Sequence, residues 1–365
     1  MMENGMMRWL RREELGDVQK EMVRRLRVKK IAIISALLAL LVAVMAYSIT
    51  ISSTTITPQQ VYKVIINQIF PGTFQIPYKT EQIVLQVYAP RVFMATFVGA
   101  ILAIAGCIVQ TIMRNPLATP YTLGVSASAS FGASLAIIMG LVAWAGTMGI
   151  ILNAFLFSLL PAGIILIASF RRAMMPTTMI LVGISISYIF SASTILVQYF
   201  GSVDAVKSAL FWSVGDLNSA SLWQVPYVMV MFVITLAASI WLVKDVNVMR
   251  MGDDTAMALG VNVKRVRLLA IILACVSTAV VVSFTGAIGF ICLLAPHIAR
   301  LLLGGDLKYL IPASAVMGAL LLSAADIISK DLINPIMLPV GAITALIGGP
   351  ILIYLLLARR DAMSI

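Results

Sequence analysis

Few side chains in the apolar stretches of this sequence could do chemistry. Arg91, Arg300 and Asp326 stand toward the ends of long apolar runs, and Lys330 follows Asp326 by four positions. That spacing puts Asp326 and Lys330 on one helical face, in the orientation that favours an ion pair. His297, the single histidine, follows Pro296 in a run broken by Gly and Pro and suits a structural hydrogen bond better than a ligand role. One histidine cannot build a His-based metal site or an HExxH protease. Cys107, Cys275 and Cys292 all lie inside apolar runs. Thiols there serve as small apolar filler, and an odd number gives no disulfide framework. No Asp pair or Ser–His pair stands where an intramembrane hydrolase would need it. Acids at the membrane midplane, the common means of coupling to an ion, are missing, although backbone carbonyls can hold sodium instead. No charged ring or repeated filter loop speaks for a channel. The residues therefore leave a largely neutral passage driven from outside the chain, with no cofactor and no metal site.

The elements that must position these residues are membrane spans. Of the 365 residues, 61% are hydrophobic and 11% charged, and the mean hydropathy is +1.02. A soluble domain has about half apolar and about a quarter charged residues. Such a composition excludes a soluble enzyme, a disordered chain and a nucleic-acid-binding protein, despite the net charge of +11. A span needs about 20 apolar residues. The sequence predicts an all-α polytopic membrane protein of ten spans, near 31–51, 91–112, 120–141, 147–169, 177–200, 223–243, 267–286, 287–303, 310–329 and 339–358. With both termini cytoplasmic, twenty-one basic residues fall inside and five outside, which fits the positive-inside rule. Flipping the chain or dropping one span spoils that split.

Two domains are expected. Residues 1–30 form a basic leader in which Leu15, Val18, Met22 and Leu26 make a narrow apolar stripe. The leader is either an interfacial helix on an anionic membrane face or a tail that only sets topology. Residues 31–365 form the membrane domain. Outside it, residues 52–90 carry short periodic pieces at 59–70 and 79–89, read as surface helices between prolines. Inside, residues 244–266 form the longest cytoplasmic connection between spans. A short helix is expected from Asp253 to Leu259, with Gly252 before an acidic pair at its start and Gly260 as its C-cap. Glycines such as Gly99, Gly106, Gly132 and Gly318 mark close helix packing. The stretch RNPLATPYTLG at 114–124, including Asn115, Pro116 and Gly124, is a Pro/Gly break. Irregular backbone near a membrane is tolerated only in a protein interior or beside a water-filled cavity.

Five strings carry a resemblance: PRVFMATFVGAILAIAGCIVQTIMRNPLATPYTLGVS at 90–126, FWSVGDLNSASLW at 211–223, GDDTAMALGVNVKRVR at 252–267, TGAIGFICLLAPHIARLLLGGD at 285–306 and LPVGAITALIGGP at 338–350. In this order and spacing they resemble the FecCD/BtuC-like permeases of ABC importers for iron–siderophore complexes, haem and vitamin B12. The resemblance covers about residue 88 to the end. It implies a ten-helix, multi-pass permease of the plasma (inner) membrane that pairs with a second copy of itself. Two ATP-binding cassette subunits and an extracytoplasmic substrate-binding protein complete the complex it implies, surrounded by membrane lipid and without nucleic acid. Ferric siderophore is the first cargo expected, with cobalamin, haem and molybdate or tungstate as alternatives. ATP would be hydrolysed on a separate chain, since this one has no G-x-x-x-x-G-K-[ST]. The resemblance assigns ATPase coupling to Gly252, Asp253, Asp254, Thr255, Ala256, Met257, Leu259, Gly260, Val261 and Asn262. It assigns binding-protein docking to Arg91, in a motif where Tyr88 replaces a usual Arg, and Asp326 and Lys330 are read as either a docking pair or a plain ion pair. Trp212, Gly215, Asp216 and Leu217 would lie near the outer gate, with Asp216 in place of a usual Ser. A neutral, chelate-sized cavity is expected between spans 5 and 10 and the 114–124 break. The alternatives are an ion-coupled secondary transporter and a membrane-embedded enzyme.

Overall fold

The computed structural model describes residues 2–51, 56–141, 143–171, 175–333 and 336–357, and, within these, side chains from Glu21 onward except at 69, 143, 170, 171 and 356. No strand is present among them. The helices are α1 (Met2–Ser48), α2 (Pro58–Ile69), α3 (Tyr78–Ile83), α4 (Ala89–Ile112), α5 (Val125–Ile138), α6 (Gly146–Arg171) and α7 (Pro176–Tyr199), followed by α8 (Val203–Val214), α9 (Val225–Met249), α10 (Asp253–Ala258), α11 (Val263–Thr285), α12 (Ile291–Leu303), α13 (Leu307–Asp331) and α14 (Val340–Leu357). Seven apolar helical stretches are long enough to cross a bilayer, and α5, α12 and α14 are shorter apolar helices. They correspond one to one with the ten expected spans. The clearest shortening is in α5, where Pro120 and Gly124 take up the expected start. Its 14 residues reach about 21 Å, against about 30 Å of hydrocarbon.

The leader does not break from the first span, since one helix runs from Met2 to Ser48. Of the expected apolar stripe, Leu15 and Val18 lie outside the described side chains, while Met22 and Leu26 are exposed. After α1, Thr57 and Gln60 form a capping box that starts α2, with Pro58 at the first helical position. The Tyr62 hydroxyl donates to the Ala46 carbonyl and ties α2 to the end of α1. A π turn at Val84–Tyr88 joins α3 to α4. It stands just before Pro90, whose ring would clash with a carbonyl four residues back in a regular helix.

The axis of the bundle is α4, which is buried along almost its whole length. It packs against α9, α11, α12 and α13. Two backbone crossings explain why small residues stand there. A Cβ on Gly99 would lie 2.3 Å from the Gly318 carbonyl oxygen, and one on Gly318 would lie 2.2 Å from that of Gly99. A Cβ on Gly106 would lie 1.7 Å from the Cys292 oxygen, so α12 begins against the middle of α4. Lipid supplies no hydrophobic drive between helices, and such close approach is how membrane helices gain packing energy. Cys107, Cys275 and Cys292 are buried and free. By contrast, α7 and α14 from Leu346 onward present large exposed apolar side chains, including Leu181, Tyr188, Leu346 and Tyr354.

Candidate functional site

One end of the bundle collects α10 and the turns at 113–119 and 304–306. The opposite end collects α2, α3, α8 and the loop after α8. The expected functional residues divide between these two ends.

At the first end, α10 runs from Asp253 to Ala258, between Gly252 and Leu259. The Gly260 N–H donates to the Met257 carbonyl and the Val261 N–H to the Ala256 carbonyl, both at 3.0 Å, closing the helix end. Gly260 has φ +83°, a left-handed conformation, and open space around it. Its requirement for glycine is therefore one of backbone rather than of room. Asn262 caps the next helix, its side chain accepting from the Arg265 N–H at 3.0 Å. Ala256 is fully buried beneath the turn, whereas Met257 and Leu259 are 56% and 64% exposed. Thr255 and Asp254 also face outward.

The acidic pair does not act as one unit. Asp254 is exposed, but Asp253 turns inward and accepts from Arg267 Nη2 on both carboxylate oxygens, at 2.8 and 2.7 Å. Arg114 pairs with the same carboxylate and also donates to the Met249 carbonyl at 3.0 Å. Arg114 belongs to the 114–124 break and holds φ +48°, unusual for a non-glycine residue. The break is thus bolted to the start of α10. A second bolt lies beside it. Asn247 on α9 donates to Asp306 at 3.0 Å and accepts from the Leu307 N–H at 3.1 Å, while Arg250 donates to the Gly305 carbonyl.

Between these bolts opens a cavity of about 450 Å³ lined by Gln110, Arg114, Asn115, Pro116, Arg250 and Arg300, among others. Arg300 donates to the Gln110 amide oxygen at 3.2 Å. The cavity at the break is therefore cationic; it is lined from α4, α9, α12 and the break itself, and is not the neutral space expected along α7 and α14. The arginines come from three different helix ends, a convergence that span-by-span reading does not show. Asn115 accepts from the Leu117 N–H at 2.9 Å and holds the turn. Gly124, with φ +98°, seats the following turn on α7, where a Cβ on Gly183 would lie 2.3 Å from the Thr122 oxygen.

At the opposite end, Gly215 is a crossing point of three elements. Gly215 has φ +83°, and a Cβ there would meet the Ala287 oxygen at 2.5 Å. The Asp216 N–H donates to the Thr285 carbonyl at 2.8 Å and the Gly341 N–H to the Gly215 carbonyl at 3.0 Å. A Cβ on Gly286 would lie 2.1 Å from the Trp212 oxygen, and one on Gly341 would lie 1.7 Å from the Val214 oxygen. The ends of α8 and α11 and the start of α14 thus touch backbone to backbone. Leu217 is buried in the core beside them. Asp216 Oδ1 is buried without a hydrogen-bond partner. Burial pushes this carboxyl above its ordinary range, partly offset by the N–H groups of Asn218 and Leu217 and by the Arg91 charge.

Arg91, Asp326 and Lys330 meet just below this junction. Arg91 Nε lies 2.6 Å from Asp326 Oδ1, and Lys330 Nζ lies 2.7 Å from Asp326 Oδ2. Arg91 also donates to Ser329 Oγ at 3.2 Å and to the Asn218 side chain, while Lys330 reaches Ser48 Oγ at 3.3 Å. All three charged residues are at most 3% exposed. The sequence placed Arg91 at an exposed docking surface, and its three-residue network is the correction. The π turn and Pro90 start α4 so that residue 91 points inward to α13, and the acid one would expect on a partner protein is supplied by this chain. Asp326 and Lys330 form the i, i+4 ion pair, one of the two readings of their spacing, and are buried away from any docking surface; Arg91 joins them. Asn218 and Ser48 went unnoticed in the sequence because neither has a local partner.

This arrangement, an all-α bundle of apolar helices with irregular backbone in its interior and ordered junctions at both ends, is that of a multi-pass membrane protein. The FecCD transport family matches residues 39–358, and the chain belongs to it. An ABC transporter permease protein of Methanocaldococcus jannaschii is 38% identical over 309 residues, covering 81% of this chain and 88% of that one. The iron(3+)-hydroxamate import system permease FhuB of Bacillus subtilis is 35% identical over 291 residues, covering 78% and 73%. The cobalamin import system permease BtuC of Halobacterium salinarum is 34% identical over 291 residues, covering 80% and 77%. Among solved structures, a chain described as a metal-chelate type ABC transporter in an inward-facing conformation superposes with a TM-score of 0.78. It is 28% identical and covers 90% of this chain and 99% of that one. The chain is a transport permease of the plasma (inner) membrane.

Proposed function

We propose that this permease imports a metal chelate, a ferric siderophore first, as the membrane half of an ATP-driven complex. Relatives named for iron(3+)-hydroxamate and cobalamin import support a bulky chelate as cargo. Two copies pair through the exposed apolar faces of α7 and α14, and the passage runs between them. Both termini lie in the cytoplasm, with the α10 end inside, where most of the basic residues stand. Each copy carries one ATPase subunit, and an extracytoplasmic binding protein docks at the α8 end. Because Arg91 is buried, docking falls to the exposed residues of α2, α3 and α8, such as Lys63, Lys79 and Lys207.

The observation that carries this reading is α10 itself. A short helix closed by glycine at both ends, clamped from behind by Arg114 and Arg267, presents Met257 and Leu259 outward. Exposed side chains so apolar, on a turn so firmly held, suit a groove on a partner. A rigid element transmits a rigid-body motion that a flexible linker would absorb. The test is uptake in reconstituted vesicles containing the cognate ATPase and binding protein. Cargo uptake that needs ATP inside and survives collapse of ion gradients is expected. Uptake that fails with the gradient while ATP is held constant would favour an ion-coupled carrier. Ligand screening of the cognate binding protein identifies the cargo.

A further inference from the structure

We propose that the cleft between α1 and α13 at the α10 end is a binding site for the headgroup of an anionic phospholipid. A cavity of about 300 Å³ opens there, lined by Arg27 and Lys30 of α1 and by Asp306, Lys308 and Tyr309 at the start of α13, with Val23 and Leu26 on its rim. Lys30 Nζ lies 5.0 Å from the centre of the Tyr309 ring, and Lys308 Nζ lies 6.0 Å from the same centre. Two ammonium groups therefore converge on one aromatic side chain, with the Arg27 guanidinium beside them. Three cations face one acid. Asp306 is already engaged: its Oδ1 accepts from Asn247 at 3.0 Å and from the Lys308 N–H at 3.1 Å. None of Arg27, Lys30 and Lys308 has an acidic partner among the described residues.

A phosphate is the complement of such a cleft, and its position selects a lipid as the source. The cleft lies where the polar part of α1 gives way to the apolar run that starts at Ile31, and where α13 enters the bundle at Leu307. This is headgroup depth, where an amphipathic ring such as Tyr309 sits well. Below it, Ile31, Leu38 and Val42 share one face of α1, are all exposed by half or more and offer a track for acyl chains. Arg24 and Lys29 stand on the same turns, so the cleft lies within a basic cluster. Basic clusters beside a span, and basic pockets between membrane helices, are a recurrent way to hold anionic headgroups. The site also gives the continuous helix from leader to span a purpose, because a lipid seated there would pin α1 to α13 on the face that carries the Asn247–Asp306 bolt.

The test uses the full chain in bicelles and native mass spectrometry of bound lipid. The wild type is expected to retain phosphatidylglycerol or cardiolipin well beyond its retention of phosphatidylcholine. Each near-surface basic residue is worth about fivefold in such binding, so the triple variant Arg27→Gln/Lys30→Gln/Lys308→Gln should lose affinity on the order of a hundredfold. Arg24→Gln/Lys29→Gln, which removes charge outside the cleft, should leave the tightly held lipid in place. Equal retention of neutral and anionic lipid by the wild type would overturn the proposal without any variant. So would an equal loss in the control variant, or displacement of the lipid by millimolar inorganic phosphate, which would assign the cleft to a free anion.

Discussion

Asp326 serves two cations at once, so its removal should cost more than removal of either partner. Asp326→Asn leaves Arg91 and Lys330 buried together without the carboxylate that pairs with both, each at most 3% exposed. Breaking a buried pair by deleting one partner costs about 3–5 kcal/mol, mostly as the penalty of the stranded charge. Lys330→Met leaves a one-to-one Arg91–Asp326 pair and deletes a bridge and two weak bonds to Ser48, a loss of about 1–2 kcal/mol. Arg91→Met leaves the Asp326–Lys330 pair but frees Asn218 and Ser329 as well, and falls between, at about 2–4 kcal/mol. Replacing all three with Met, Leu and Met removes the charges together and should return stability to within about 2 kcal/mol of wild type, or above it. The assay is equilibrium unfolding of the purified permease in bicelles by steric trapping. An Asp326→Asn loss no larger than that of Lys330→Met would refute the shared-anion geometry. A second readout separates a buried role from a docking one. Rim charges change association rate and its salt dependence. Arg91→Met, where it folds, should leave both unchanged for the binding protein, and a changed salt slope would put the side chain back at the surface.

Gly260→Val forces a β-branched residue to φ +83°, which costs about 1–2 kcal/mol locally; ATP hydrolysis should persist in the assembled complex while cargo moved per ATP falls severalfold in vesicles. Met257→Asp with Leu259→Asp should release the ATPase subunit on gel filtration, since both side chains are exposed and neither supports the fold. Asp216→Asn should raise the melting temperature at neutral pH. The folded carboxyl binds its proton more tightly than the unfolded one, so its penalty is complete above the raised folded value and vanishes below the ordinary value of about 3.9; the gain over wild type should close as the pH falls through that window. Gly99→Val should abolish folding, because its Cβ would already lie 2.3 Å from backbone oxygen on α13.

What the sequence made legible was set by the range of the interactions. Span existence follows from local hydropathy, and the ten apolar stretches appear where composition puts them. Gly260 was legible because a glycine at a helix end has a local reason to be there. Span length was less so. In α5 and α12 the apolar composition runs past the helix, into Pro120–Leu123 and Gly286–Phe290, where backbone geometry and not hydropathy decides. The inward turn of Arg91 was hidden for a different reason. Its partner Asp326 lies 235 residues away, and a single sequence shows an arginine at a span edge without showing what meets it. The same holds for Arg114 and Arg267, which count as topology charges until the fold brings both to Asp253.

Those long-range pairs decide what a push on α10 would move. If α10 hung only from its two flanking chains, a displacement at Met257 would be lost in the turns at Gly252 and Gly260. Arg114 removes that freedom on one side, since one guanidinium holds both the Met249 carbonyl and Asp253. Arg267 removes it on the other by gripping Asp253 from α11. The helix ends that move with α10 are then those of α4, α9 and α11, and the Asn247–Asp306 and Arg250–Gly305 contacts add the turn between α12 and α13. One of these, α11, runs to the Gly215 junction at the far end, where backbone contact leaves no compliant side chain to absorb a shift. Packed cores rearrange between discrete states and do not bend continuously. A tilt imposed at the α10 end would therefore reach the α8 end as a change at the junction of Gly215, Gly286 and Gly341. Glycines stand at all three positions because a side chain there would hold the elements apart.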